Sequence, residues 1–334
     1  MPKFISFIIV ILSINVRLFA QNDSLRNLDI NLENYDYPFP VKFISFESQG
    51  ESLSMAYMDV LPDKPNGKSI MLLHGKNFNG AYWEETARAL VKSGYRVIIP
   101  DQVGFGKSSK PAHFQFSFHE MAANTKRILD LLNISKTVIL GHSMGGMLAT
   151  RFTLMYSGTV EKFVLVNPLG LEDYKLKVPF QSVDKWYQSE LKSNFATIKD
   201  YQLKSYYDGK WKDSYTKWVN LLAGWTLNAD YPKIAWNSAL TYDMIYTQPV
   251  CYELEQIMAP TLLIIGQRDR SAVGKNLAPE DVRKTLGNYP ELGKIAQSKI
   301  KNSQLTELDN IGHLPHIEDF ERFIRPLLTF LATP

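Results

Sequence analysis

With 334 residues, 45% of them hydrophobic and 12% aromatic, the chain carries enough apolar material for a full core, which excludes the disordered and fibrous classes. Its formal charge is +3 with an isoelectric point near 8.6, and Lys3 and Arg17 lie in a segment expected to be removed, which takes the charge to +1. That balance excludes a polybasic nucleic-acid or membrane-surface binder, so no nucleic-acid partner is expected.

The first twenty residues differ in kind from the rest. Lys3 precedes an apolar centre, Phe4 to Leu12, and Leu18-Phe19-Ala20 then offers a small residue before Gln21-Asn22-Asp23-Ser24. This is the layout of a secretory signal peptide. Arg17 interrupts the apolar stretch, whose unbroken part falls short of the roughly 20 residues that span a bilayer. The expectation is export to the periplasm or medium with cleavage near Ala20 and no stable membrane insertion afterwards. The single cysteine, Cys251, excludes an internal disulfide and leaves no thiol at the cut site for a lipid; it reads as a buried small hydrophobe. Residues 21–40, rich in Asn, Asp and Pro, read as an exposed lead-in.

Phe43-Ile44-Ser45-Phe46 and Leu53 to Val60 alternate around the turn residues Ser48-Gln49-Gly50-Glu51, which predicts an antiparallel hairpin. Ser69-Ile70-Met71-Leu72-Leu73 is a continuous apolar strand of the kind buried on both faces, running into His74-Gly75-Lys76. A helix from about Tyr82 to Lys92 closes at Gly94, and the strand Tyr95 to Ile99 ends in Pro100-Asp101-Gln102-Val103-Gly104-Phe105-Gly106-Lys107-Ser108. The last three residues suggest a phosphate loop, but Asp101 stands where that motif needs its first glycine, so nucleotide binding is rejected. A helix over Phe118 to Asn133 follows.

Thr137 to Leu140 is a short β-branched run that breaks into Gly141-His142-Ser143-Met144-Gly145-Gly146, and Met147 to Tyr156 has helical spacing. Ser143 is therefore placed in a tight turn between strand and helix, where a nucleophile takes a strained backbone and its flanking glycines avoid collisions. Another strand, Phe163 to Val166, stops at Asn167-Pro168. From about Leu169 to Met258 no strand run stands out, and five of the six tryptophans (Trp186, Trp211, Trp218, Trp225, Trp236) fall here, which predicts a helical insertion. Strands resume at Thr261 to Gly266 and Gln304 to Leu308, and a helix from Phe320 to Leu331 closes the chain. Alternating apolar strands and helices argue for a parallel sheet with crossovers.

In such a sheet ligands bind at the carboxyl ends of the strands, where His74-Gly75-Lys76, Ser143, Gly266-Gln267-Arg268-Asp269 and Asn310-Ile311-Gly312-His313 all emerge. A serine hydroxyl needs a base at neutral pH: His313 is the candidate, with Asp269 holding its tautomer. The backbone N–H of Met144 and of Lys76 are the candidate donors to a tetrahedral oxyanion. His316 reads as structural, His74 as shaping its loop, and Asp101 as a loop brace. Asp309 reads as a turn residue and Asp319 as a helix-start carboxylate. Neither a Cys/His cluster nor a His-Glu-x-x-His helix is present, so no metal or cofactor is expected.

The order His74-Gly75, Asp101-x-x-Gly104-x-Gly106-x-Ser108, Gly141-x-Ser143-x-Gly145, Gly266-x-x-Asp269, Gly312-His313-x-Pro315 resembles the α/β-hydrolase superfamily in its cap-bearing branch, over about residues 40 to 332. The resemblance implies an α/β fold with an eight-stranded, mostly parallel sheet. It also implies a hydrolase core over 41–168 and 259–334, a helical cap over 169–258 after the sixth strand, and a Ser143-Asp269-His313 triad. Epoxide hydrolases and haloalkane dehalogenases of this branch use an aspartate at the elbow, and Ser143 counts against both; cofactor-free haloperoxidase-type perhydrolases keep the serine. The expected activity is hydrolysis of a small, largely apolar acyl substrate, a carboxylic ester or related compound, through an acyl-enzyme. The alternatives are a prolyl aminopeptidase-like amide hydrolase, using Glu172, Asp173, Glu190, Asp208 or Asp213 for a free amine, and a catalytically idle binding protein.

Overall fold

The alternating segments near the start pair as an antiparallel hairpin, β1 (Val41–Ser48) and β2 (Glu51–Val60), whose two-residue turn at Gln49 and Gly50 takes φ values of 53° and 78°. The computed structural model describes residues 24–333, so the expected signal peptide lies outside the described residues. After the hairpin the chain alternates: β3 (Ser69–Leu73), α1 (Glu84–Lys92), β4 (Arg96–Pro100), α2 (Phe118–Leu131), β5 (Thr137–His142), α3 (Met144–Met155) and β6 (Val160–Val166). Four helices then intervene: α4 (Val183–Glu190), α5 (Phe195–Ser205), α6 (Thr216–Trp225) and α7 (Tyr231–Thr247). The sheet resumes with β7 (Thr261–Gly266), α8 (Glu280–Thr285), α9 (Tyr289–Lys299), β8 (Ser303–Leu308), α10 (Pro315–Glu318) and α11 (Phe320–Ala332).

The eight strands form one sheet in the order β1-β2-β4-β3-β5-β6-β7-β8, antiparallel only where β2 meets β1 and β4. Every residue of β3, β5 and β7 is buried, which explains why their sequences are continuous rather than alternating. Period two still decides which side chain faces which layer. Ile139 of β5 joins one core with residues of α2, α3 and α9, while Val138 and Leu140 join the other with α1 and α11. Each such buried aliphatic side chain contributes about 1.5–3 kcal/mol. Among the described residues, no helix is long and apolar enough to cross a membrane.

The lead-in expected to be exposed over residues 21–40 departs from that expectation within the described residues. Leu28 and Leu32 are fully buried, Leu28 N–H donates to Gly224 O of α6 (3.1 Å), and Trp225 Nε1 donates to Asp29 O (3.0 Å). Further along, Tyr37 Oη donates to Asp101 Oδ2 (2.6 Å), and Lys107 Nζ donates to the carbonyls of Leu32 and Tyr35. Leu28 and Leu32, with Ile30, Tyr35, Tyr37 and Phe39 packed against the same core, pin the segment as a strap across the four-helix insertion and the loop after β4.

Candidate active site

Ser143 sits between β5 and α3 with φ 57° and ψ −124°, a conformation that costs a non-glycine residue roughly 1–3 kcal/mol. The neighbours make the turn obligatory. A Cβ on Gly141 would stand 2.1 Å from Gly145 O, and one on Gly145 would stand 2.3 Å from Leu73 O, so β3, β5 and α3 meet too closely for any side chain there. The turn is tied by Gly146 N–H and Leu169 N–H, both donating to Ser143 O (2.9 and 3.0 Å). Met144 is the first residue of α3, so its N–H lacks an intrahelical acceptor and lies at the positive end of the helix dipole.

The loops after β7 and β8 bring Asp269 and His313 to this serine. His313 Nε2 lies 2.9 Å from Ser143 Oγ, and His313 Nδ1 lies 2.7 Å from Asp269 Oδ2. A carboxylate can only accept, so Nδ1–H is the donor and Nε2 is left to accept the serine proton. All three residues are buried. Burial by itself would raise the Asp269 carboxyl, but the His313 ring and the N–H of Ser271 (2.8 Å) outweigh it and hold the group below its ordinary range. Asn167, immediately after β6, donates Nδ2–H to Asp269 Oδ2 (2.8 Å) while its Oδ1 accepts from Gly266 N–H (2.9 Å).

A second line of contacts sets the opposite wall. His142 Nε2–H donates to His313 O (2.7 Å), its Nδ1 accepts from Tyr82 Oη (3.0 Å), and Tyr82 Oη in turn accepts from Gly75 N–H (2.9 Å). This network requires a neutral His142, and burial, reinforced by the neighbouring His313, keeps its imidazole from taking a second proton. Lys76 therefore follows a residue that is hydrogen-bonded into the serine's own surroundings; a Cβ on Gly75 would stand 3.0 Å from Ser143 Cβ. His74 ties the loops after β3 and β4, its Nε2 accepting from Gln102 N–H (3.0 Å). Asp101 braces three segments, accepting from Gly80 N–H, Lys107 N–H and Tyr37 Oη. His316 lies away from the serine, stacked on Trp83 with ring centroids 4.4 Å apart. Asp319 accepts from Arg322 N–H at the start of α11.

Sequence reasoning missed Asn167, His142 and Tyr206 as parts of the site. Tyr206, just after α5, stacks on the His313 ring (5.1 Å, 20°) and accepts from Asn77 Nδ2 (2.9 Å), so the helical insertion touches both His313 and the loop after β3. Nothing in the local sequence distinguishes Tyr206 from the chain's other tyrosines. Asn167 could have been found, since an asparagine directly after a buried strand tolerates the positive φ (38°) seen there. Beneath the insertion lies a cavity of about 360 Å³, bordered by Lys76, Asn77 and Phe105 from the core and by side chains of α4 to α7. Of the five tryptophans of the insertion, Trp225 lines it. Among the described residues no cluster of three His, Cys, Asp or Glu side chains is placed to hold a metal ion.

A profile of the alpha/beta hydrolase fold matches residues 68–320. The chain is 50% identical to a probable hydrolytic enzyme from Pseudomonas aeruginosa PAO1 whose crystal structure superposes with a TM-score of 0.91, covering 92% of this chain and 99% of that one. It is 25% identical over 306 residues to the 2-hydroxy-6-oxononadienedioate/2-hydroxy-6-oxononatrienedioate hydrolase of Comamonas testosteroni, spanning 87% of this chain and 96% of the relative. The enol-lactonase of Burkholderia xenovorans LB400 shares the fold at 18% identity and a TM-score of 0.67, over 87% of this chain and 100% of that one.

Proposed function

The chain belongs to the alpha/beta hydrolase fold family, and we propose that it is a serine hydrolase cleaving a carboxylic ester or related acyl compound through an acyl-enzyme intermediate. The observation that carries this reading is the hydrogen-bonded line from Ser143 Oγ through His313 to Asp269, set on a strained turn. His313 Nε2 takes the hydroxyl proton as Oγ attacks the carbonyl carbon, and the ionised Asp269 stabilises the imidazolium that forms. Negative charge then develops on the carbonyl oxygen, beside the Met144 N–H at the start of α3 and the Lys76 N–H. His313 next gives its proton to the departing alcohol, and a water activated by the same nitrogen releases the acyl group.

The placement of the carboxylates favours an ester over a peptide with a free amine. Glu172 is used by Gly287 N–H and Lys177, Asp173 by Tyr252 Oη, and Asp208 is exposed near Arg268. Asp213 starts a short turn of helix. Of the five, Glu190 lines the cavity, and there it accepts from Ser238 Oγ (2.8 Å).

A serine-directed fluorophosphonate is expected to label the folded protein once, and Ser143→Ala is expected to abolish labelling. Absence of an adduct on Ser143 would favour an idle binding protein. Turnover of p-nitrophenyl esters but not of proline-naphthylamide is expected; the reverse would install the aminopeptidase reading. The lead segment supports export with cleavage near Ala20, for which mass spectrometry of the exported protein is expected to give Gln21 as first residue.

A further inference from the structure

The side chain of Lys76, whose backbone was assigned above to the oxyanion, does not point to solvent. Its Nζ donates to Ser238 Oγ (2.6 Å) on α7 and sits 3.5 Å from the centre of the Tyr242 ring. Ser238 passes the contact on to Glu190 Oε2 at the end of α4, so the ammonium meets its counter-charge only through an intervening hydroxyl. Burial lowers this lysine to about 8, and Glu190 recovers part of the loss. Lys192 also lines the cavity, so its charged lining holds two cations, Lys76 and Lys192, against one anion, Glu190.

A second observation points to the same missing partner. Gln202 of α5 lines the cavity and is 1% exposed, yet neither its Nε2 nor its Oε1 has a hydrogen-bond partner. A buried amide left unpaired costs about 1–3 kcal/mol, which a ligand bearing acceptors relieves. Leu222, Ile234 and Trp225 supply an apolar stretch of the same wall. An aliphatic chain ending in acceptor oxygens fits such a lining, and the enclosed Lys76 ammonium, 2.6 Å from a neutral hydroxyl while Lys192 stays exposed, favours an anionic end.

We propose that the cavity selects acyl substrates that carry a carboxylate, with the Lys76 ammonium as its counter-charge and the Gln202 amide as its second donor. Lys76 thus serves the reaction through its main chain and specificity through its side chain. The proposal rests on the reading of Ser143 as nucleophile, and it replaces the expectation of a largely apolar substrate by an apolar chain with a charged end.

The test compares three p-nitrophenyl esters with a common leaving group: the hemiglutarate, the neutral pentanoate and the cationic 5-aminopentanoate. At pH 7 kcat/KM for the hemiglutarate is expected to exceed that for the pentanoate by about tenfold or more, the worth of a charge-assisted hydrogen bond. Lys76→Met is expected to abolish the ratio, Lys76→Arg to keep most of it, and Glu190→Gln to increase it by removing the competing anion. Equal kcat/KM for hemiglutarate and pentanoate, preference for the cationic ester, or a ratio that survives in Lys76→Met would overturn it. Calorimetry of glutarate binding to Ser143→Ala, expected to be lost in Ser143→Ala/Lys76→Met, decides the carboxylate subsite separately. If no ester is turned over, the hydrolase reading fails while that titration still upholds or overturns the subsite.

Discussion

Asn167 shows how much of the site is held by a residue that does no chemistry itself. Its side chain bridges Asp269 Oδ2 and Gly266 N–H, so it fixes the carboxylate against the end of β7, the strand whose loop carries it. Removing a hydrogen bond to a charged group costs about 1.5–3 kcal/mol, and here the loss falls on the carboxylate that, in the proposed mechanism, stabilises the imidazolium. Asn167→Ala is therefore expected to lower kcat on a p-nitrophenyl ester by about 10–100-fold with KM little changed, since no substrate contact is altered. Steady-state kinetics check this, and a rise in KM with kcat intact would show that Asn167 shapes binding instead. The three side chains that converge were legible because each lies in the segment that leaves the carboxyl end of a strand of the sheet, β5, β7 or β8. Asn167 was legible only as the residue at which the strand before it stops; its bridge to Asp269 depends on how β6 and β7 lie side by side.

At the level of elements, the strap formed by residues 24–40 is the part whose composition misled: its apolar residues Leu28, Ile30 and Leu32, then Tyr35, Tyr37 and Phe39, alternate with polar residues and proline, and the frequent Asn, Asp and Pro masked that alternation. Gly224 of α6 makes the docking possible: a Cβ there would stand 2.7 Å from Arg26 O and 2.7 Å from Leu28 Cγ. In an open helix Gly→Ala stabilises by about 1 kcal/mol. Here the sign is expected to reverse, with Gly224→Ala lowering Tm and speeding proteolysis within residues 24–40. Trp225, which lines the cavity and donates to Asp29 O, should shift with the strap, so KM is expected to rise in the same variant. A raised Tm with an unchanged KM would mean that the strap bears on neither the four-helix insertion nor the cavity. The core strands and helices were readable from runs and caps, and the loops from their glycines. How α4 to α7 pack beside His313 was not, because the inserted helices are matched to one another by side-chain shape, which leaves no periodic mark. The orphaned Gln202 and the inward Lys76 belong to that unread part.

For the whole molecule, three buried histidines packed against the sheet's carboxyl end set the response to acid. His74, His142 and His316 all lie within 2% of full burial, and burial drives each below its ordinary range, His316 to about 3. A group whose folded form resists protonation while the unfolded chain accepts it loses stability as pH falls below the unfolded value of about 6.5. The folded state regains nothing until pH drops to the depressed value. For His316, held near 3, the cost is expected to reach about 2 kcal/mol by pH 5. His316 is the histidine to test, because it is stacked on Trp83, with the Phe323 ring tilted 5.8 Å away, and both its ring nitrogens lack partners. His316→Phe keeps a planar ring in that slot and deletes the titration, so its Tm is expected to exceed the parent's clearly at pH 5 and by much less at pH 8. Thermal melts across that range check it; parallel Tm curves for the two proteins would show that His316 takes no part in acid unfolding.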